Sequence, residues 1–507
     1  MDRRPLALVS LLAAGSFGGL WLLAHGRSGA EATATEHDVT PAPTRGRHDA
    51  SFVVPHLDAR WMVIGGGPTP EYNQVQLEQD VALAIRALRP IGDGVVLFAG
   101  GPHSHAVQVL REDAPPVDLR ARLGELFDPR LGRDAHYRAT ELEPLGPATR
   151  EAILEALRGA LGESEHDPLT AYFAGHGIGG DTPLESRYLT WANDELSVED
   201  LSALFDESGE HRPVRLVMTS CYAGGFAELA FDGADPDRGA ARSVRCGFFA
   251  TSWDRAAAGC DPSPDRGAQE GYGIHFLHAL LAEDRAGASA LGRIDLDGDG
   301  AVSLLEAHTR ARIASRSIDV PVTTSERFLR AFADPERPPR PEGSEPALPE
   351  ELAVIDALGR ELELADRAAA EAALEEVDRE IDERAEELEA IDEEIVSLHA
   401  TLTAELLHRW PVLDDPWHPD FDDTLARDGD AIEAHLADSA AAGGMDDLEV
   451  ERERVANLHD DALVRSARVE RLLSAYETVD LASRLAGEGG LDWLRYQALL
   501  ACERGAP

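Results

Sequence analysis

Short apolar runs, several ending on glycine, alternate with stretches of helical spacing through the first two thirds of the chain. Trp61–Ile64, Gly94–Phe98, Leu169–Phe173, Val214–Met218 and Cys246–Thr251 are too short for helices and read as buried strands. Gln74–Leu88 places Leu77, Val81, Ala84, Ile85 and Leu88 on one helical face, and Ala148–Leu161, Val198–Phe205 and Gly273–Leu281 read as further helices. Strand and helix taking turns in this way predicts an α/β domain over residues 59–330. Its sheet is expected to be mainly parallel and covered by helices on both faces.

The pattern changes after Ala331. Residues 331–350 thin into the run Pro335-Glu-Arg-Pro-Pro-Arg-Pro-Glu-Gly-Ser-Glu-Pro346, an extended linker. Over residues 351–507 strand formers are scarce. Leu374, Ile381, Leu388, Ile395 and Leu402 recur every seven residues there, with Val377, Ile391 and Leu398 between them. A second series runs through Leu448, Val455, Ala462, Val469 and Tyr476, with Leu458, Leu472 and Val479 between. Trp410-Pro411 and Trp417-His418-Pro419 separate the two. Two such seams predict a coiled coil, formed as an antiparallel hairpin within the chain or by self-association or a protein partner.

At the other end, Met1-Asp-Arg-Arg4 precedes an uncharged, mostly apolar segment from Pro5 to Ala24. Residues 1–26 therefore read as a signal peptide or signal anchor, and 27–58, rich in Ala, Thr, Pro and Arg, as a disordered tether. Arg3 and Arg4 would stay on the cytoplasmic side. The bulk of the chain is then expected outside the cytoplasm, anchored to the membrane, or secreted if the signal is cleaved.

Charge narrows the chemistry. Ninety-four Asp and Glu stand against 47 basic residues, all of them arginine, for a net charge of −47. A chain without lysine has no P-loop lysine and no Schiff base to pyridoxal phosphate. So acidic a surface repels phosphate backbones, which argues against nucleic-acid partners. Gly65-Gly66-Gly67-Pro68 after the first strand lacks the G-x-G-x-x-G spacing of a nucleotide site. Of the four cysteines, Cys246 and Cys260 flank one strand and its loop and are the expected disulfide pair. No CxxC or His-Cys cluster suggests zinc.

Two of the apolar runs stop at a reactive residue followed by glycine: Ala171-Tyr-Phe-Ala-Gly-His176-Gly177 and Leu216-Val-Met-Thr-Ser-Cys221-Tyr-Ala-Gly-Gly-Phe226. In an open α/β sheet, the crevice at the carboxyl ends of the strands is where chemistry is placed. A thiol beside an imidazole is a nucleophile with its base. Glycine lets the backbone turn sharply and come close to a substrate. Cys221 and His176 are therefore the expected catalytic dyad, with N–H groups at Cys221 and near Gly177 as the oxyanion site.

A further motif is Asp295-Leu-Asp297-Gly-Asp299-Gly300-Ala301-Val-Ser303-Leu-Leu-Glu306. It sets oxygen ligands at the spacing of an EF-hand calcium loop, with the Ala301 carbonyl serving in the seventh position and glycine in the sixth. Ca²⁺ is the one cofactor expected, bound at residues 295–306.

Phe173-Ala-Gly-His176-Gly177 with Ser220-Cys221-Tyr-Ala-Gly-Gly225 resembles the caspase-like cysteine peptidases, and most closely a bacterial legumain-like group. Pro321-Val-Thr-Thr-Ser-Glu-Arg-Phe-Leu329 shares that look, and the resemblance spans roughly residues 59–330. It implies a caspase-like sheet sandwiched by helices and a cysteine endopeptidase acting on protein or peptide substrates. It also implies that Asn73, after the first strand, orients His176, and that the loop Ser252–Cys260, with Asp254 and Arg255, lines the pocket for the residue before the cut. Thr219 stands where metacaspases usually carry an acid, so their preference for basic residues is not implied. The alternative reading is a catalytically silent scaffold at the cell envelope that recruits partners through its coiled coil.

Overall fold

The computed structural model describes residues 59–111, 118–129, 135–162, 167–207, 212–340 and 346–506. The expected signal segment and tether lie outside them. Among the described residues, no helix is long and apolar enough to cross a membrane. From Ala59 onward the described chain forms one compact unit.

In chain order the first half runs β1 (Trp61–Gly65), α1 (Val75–Leu88), β2 (Gly94–Phe98), β3 (Val107–Leu110), α2 (Leu119–Phe127), β4 (Ala135–Arg138), α3 (Arg150–Leu161) and β5 (Leu169–Ala174). It continues with β6 (Gly177–Ile178), β7 (Arg187–Thr190), β8 (Asp194–Ser197), α4 (Val198–Glu207), β9 (Val214–Met218), β10 (Arg245–Phe249), α5 (Tyr272–Leu280) and α6 (Leu304–Ala314). The remainder comprises β11 (Val322–Thr323), α7 (Thr324–Phe332), α8 (Pro349–Glu361), α9 (Arg367–Arg409), α10 (Phe421–Asp438), α11 (Ala440–Glu488) and α12 (Gly490–Glu503).

The central sheet has six strands in the order β11-β10-β9-β5-β1-β2, all parallel except β11 at the edge. Alternate residues serve opposite faces. Trp61, Val63, Tyr172, Val217 and Phe248 share a core with Val81 and Leu88 of α1, Phe276 of α5 and Leu304 of α6. The other set, including Met62, Ile64, Ala171, Phe173, Leu216 and Met218, is equally buried. Both faces are therefore covered, which is why these strands read as continuous apolar runs. Two small antiparallel sheets, β3-β4 and β6-β7-β8, were not visible in the hydrophobic pattern, because their strands are two to four residues long and partly exposed.

The helical region is an antiparallel hairpin within one chain. Arg452 reaches Asp392, Arg465 reaches Glu380 and Ser466 reaches Asp378, so positions rising along α11 meet positions falling along α9. At its far end α10 folds back and α2 joins it, with Leu123 in a core made by Leu402, Leu406, Phe421, Ile432 and Leu436. At its near end the hairpin is built into the α/β part. Leu472 and Ala475 pack with Val354 and Leu358 of α8. Ala482 and Leu485 pack with Phe231, Phe328, Leu329 and Tyr496. The described start of the proline-rich stretch, 335–340, lies along α11 as well, since Arg340 N–H donates to Ser483 Oγ at 2.9 Å and Arg484 Nη1 to the Pro335 carbonyl at 2.7 Å.

The expected Cys246–Cys260 bond is corrected by the structure. Cys246 is bonded to Cys502 of α12, and Cys260 is a free thiol. Cys246 lies near the amino end of β10, where α12 packs, whereas Cys260 lies in the loop beyond its carboxyl end. Flanking a strand in sequence placed the two cysteines at its opposite ends in space.

Candidate active site

Strands β5 and β9 are parallel neighbours in a register that pairs Phe173 with Met218. His176 and Cys221 each follow three residues later, so both emerge at equivalent places beyond the carboxyl edge of the sheet. Thr219 ties the two strand ends together, because its N–H and its hydroxyl both donate to the Phe173 carbonyl, at 3.0 and 3.1 Å. A Cβ on Gly177 would overlap the Cys221 carbonyl oxygen, so glycine is what lets the segment after His176 lie directly against the Cys221 backbone. Cys221 and His176 are each half-buried.

The imidazole is held from the first-strand side. His176 Nε2 lies 2.8 Å from the Tyr72 carbonyl and 3.0 Å from Gln74 Oε1. Two acceptors at Nε2 fix the proton there, which leaves Nδ1 as the ring's basic atom. The Tyr72 ring stands edge-on to the imidazole with centroids 5.9 Å apart. The glycines after β1 explain how the Tyr72 carbonyl gets there. Gly66 adopts φ +104°, and a Cβ on Gly67 would collide with that same carbonyl. The triple glycine thus serves close backbone packing. From the other side, Leu189 N–H donates to the His176 carbonyl at 2.9 Å and the Tyr188 hydroxyl to the Ala174 carbonyl at 3.2 Å. Burial pushes the imidazole below its usual pKa, and the Tyr72 carbonyl opposes the shift.

Asn73 is placed one step away from this arrangement. Fully buried, it accepts from Gly67 N–H at 3.0 Å and donates to the Ala106 carbonyl at 3.0 Å. Its side chain fixes the glycine loop, and the His176 ring is held instead by the two sequence neighbours of Asn73, Tyr72 and Gln74. Sequence reasoning missed both. A backbone carbonyl leaves no residue-type signature, and Gln74 reads as the first residue of a helix.

The thiol is covered by the loop after β10. Cys221 Sγ accepts from Ala257 N–H at 3.3 Å and lies 3.7 Å from the Ala257 carbonyl. Tyr222, with φ +58° in the left-handed region, donates its N–H to the Arg255 carbonyl at 2.9 Å. Among the described residues, no backbone carbonyl accepts from Cys221 N–H, which bears on its own thiol instead. Burial raises the thiol pKa, the Ala257 N–H draws it down, and the charge of Asp319 adds to the rise. The thiol is thus shifted up and the imidazole down, and both shifts favour the uncharged forms.

The acidic loop lies between α5 and α6. Carboxylate oxygens of Asp295, Asp297 and Asp299 come within 4.8 Å of one another. Asp295 accepts from Gly298 and Gly300 N–H, and Gly300 takes the φ of +87° that the sixth position of such a loop demands. Ser303 and Glu306 form a capping box at the start of α6, and Glu306 also accepts from Leu296 N–H at 2.6 Å. The three aspartates fit a hard cation. Glu306 closes the loop through hydrogen bonds from its other side, and the Ala301 N–H is held by Asp299. No protein-family model matches the chain and no curated protein is detectably similar to it, so the reading of this site rests on its own geometry.

Proposed function

We propose that this chain is a cysteine endopeptidase of the caspase-like kind, nearest the legumain-like group, with Cys221 as nucleophile and His176 as its base. The observation that carries the reading is the shared register of β5 and β9, which brings a thiol and an Nε2-anchored imidazole to one sheet edge. Substrate binding at the edge would align Sγ with His176 Nδ1. Attack on the scissile carbonyl carbon forms the S–C bond as the thiol proton passes to Nδ1. The oxygen takes up charge against the Cys221 N–H. Collapse breaks the C–N bond, with the proton going from Nδ1 to the leaving amine, and water then releases the acyl group from sulfur. The site is reached from outside the sheet edge, past the loop that carries Asp254 and Arg255.

The reading extends to a calcium ion at Asp295, Asp297 and Asp299, with the Ala301 carbonyl, Ser303 and Glu306 completing the set. Three carboxylates this close repel one another, and a divalent cation relieves that repulsion. Export across a membrane belongs to the same reading. It is supported by the Cys246–Cys502 bond, which suits an oxidising compartment. The scaffold alternative gains no specific support, since a scaffold has no use for a histidine ring anchored at one nitrogen only.

A peptide-library assay of the parent and Cys221→Ala, run in chelator and in millimolar calcium, tests both parts. Turnover is expected to disappear in Cys221→Ala, and turnover equal to the parent would rule out the nucleophile. The parent's Tm is expected to rise with calcium and that of Asp295→Ala to stay put. An identical rise in both would place the ion elsewhere.

A further inference from the structure

The loop over Cys221 is fastened to the C-terminal helix at two consecutive residues. Arg255 makes a two-pronged ion pair with Glu470 of α11, at 2.8 and 2.9 Å. The next residue, Arg471, is fully buried, and among the described residues no carboxylate lies within hydrogen-bond reach of it. Its guanidinium donates to four backbone carbonyls: Asp319 at 2.6 Å, Ser317 at 2.7 Å, Ser315 at 2.8 Å and Arg312 at 3.2 Å. These carbonyls belong to the end of α6 and the turn after it. Asp319 in that turn accepts from Ala258 N–H and from Tyr272 N–H, each at 2.7 Å. Two chains of contacts thus converge on Cys221 and the residue after it. One runs from Glu470 through Arg255 to the Tyr222 N–H, and the other from Arg471 through Asp319 to Ala258 and so to Ala257, whose N–H reaches the thiol.

We infer that Glu470 and Arg471 of the C-terminal hairpin are positioning residues for Cys221, holding the 255–258 loop so that Ala257 brackets the thiol at the sheet edge it shares with His176 and substrate binding can align the two. The inference rests on the peptidase reading only for what the alignment is used for. A bidentate guanidinium–carboxylate pair fixes orientation as well as distance. An arginine spent on four carbonyls fixes the turn that carries Asp319. The hairpin is therefore a working wall of the site.

The test reads the thiol directly. In the full chain, Glu470→Gln keeps the helix and the size of the side chain while removing the charge that grips Arg255, and Arg255→Ala cuts the same link from the loop side. The titratable groups whose charge reaches the thiol are Asp319 from the turn after α6, Cys260 from the loop itself and Tyr222 next to it. In either variant Asp319 stays in place, so the change reports on loop release. Burial is the largest influence on Cys221. Loosening the loop should therefore bring the midpoint of Cys221 alkylation against pH down by about one unit, close to tenfold faster labelling at neutral pH. Peptide turnover should fall by about tenfold or more in the same variants, because alignment is lost. The double variant should be no worse than either single one.

Alkylation profiles unchanged in both variants overturn the inference and leave the peptidase reading standing on its own Cys221→Ala test. Faster labelling together with faster turnover would also overturn it, because the loop would then be a restraint on Cys221 and not its support. A parent enzyme without turnover whose alkylation still shifts in Glu470→Gln would sink the peptidase reading and keep the clamp.

Discussion

Around Val450 and Leu458, helix α11 has α9 on one side and solvent on the others, and Val450 itself is largely exposed. Between Arg468 and Ala486 the same helix is enclosed, with Arg468, Val469, Arg471, Leu472, Ala475, Thr478, Ala482, Ser483, Leu485 and Ala486 all buried. The apolar seam is similar in both halves. What differs is the rest of the circumference: Arg452 and Arg454 point at acids across or along the hairpin, whereas Arg468 and Arg471 are taken inside. A heptad pattern reports one contact face and is silent about a second partner on the polar side. A buried charge, not the seam, marks where a coiled coil becomes part of another domain.

Arg471 offers the sharpest way to break that contrast. Replacing it by Met fills the volume but leaves four carbonyls without donors, and each buried acceptor so abandoned costs roughly 1–3 kcal/mol. Burial already lowers the arginine pKa to about 10, so the charge itself is held at a cost and its loss offsets part of this. The net expectation is a loss of at least about 3 kcal/mol in urea unfolding, within the range of a broken buried network. A midpoint indistinguishable from the parent would show that the buried arginine does not couple the hairpin to the α/β part.

Glu503 sharpens the same contrast on the neighbouring helix. Its carboxylate accepts from Ser325 N–H at 2.8 Å and from Ser325 Oγ at 2.6 Å, fully buried beside Glu326 and Glu351. Burial pushes its pKa from 4.5 up to about 8. A carboxyl whose folded pKa is raised binds its proton more tightly in the native state. It therefore contributes stability that is full below the unfolded value and is lost as pH rises through the folded one. Glu503→Gln mimics the protonated form at every pH. The Tm of the variant relative to the parent should be level near pH 4.5, climb as pH rises towards 8, and flatten beyond. A difference independent of pH would mean that Glu503 does not titrate where its burial indicates.

How much of this was legible beforehand divides along the same line. The five parallel strands were readable because both faces are apolar, and the neighbouring places of His176 and Cys221 because each ends such a run beside glycine. Three things were not readable. The grip on His176 uses the Tyr72 carbonyl, which any residue could supply, and the Gln74 side chain. The Cys246–Cys502 bond links residues 256 positions apart, and only the docking of α12 brings them together. The role of Glu470 and Arg471 was hidden because a Glu-Arg pair on a coiled coil reads as solvated surface until a second domain is known to lie against it.

The smallest effect is expected at the exposed half of the hairpin, where the comparison predicts near-indifference. Arg452 Nε lies 2.5 Å from Asp392 Oδ1, closer than Arg255 Nη1 lies to Glu470 at the near end, at 2.8 Å. Yet Asp392 keeps 48 % of its side-chain surface in solvent and Arg452 24 %. Water screens such a pair, and holding two long side chains in one pose costs rotamer freedom, so exposed ion pairs are worth about 0.2–1 kcal/mol. Arg452→Ala should therefore lower stability by less than about 1 kcal/mol and leave the Cys221 alkylation profile unmoved. High salt should shrink even that, since screening acts first on exposed charge. A loss at Arg452 as large as at Arg471 would mean that the hairpin is one cooperative rod whose far end matters as much as its root. The distinction between its two halves would then fail.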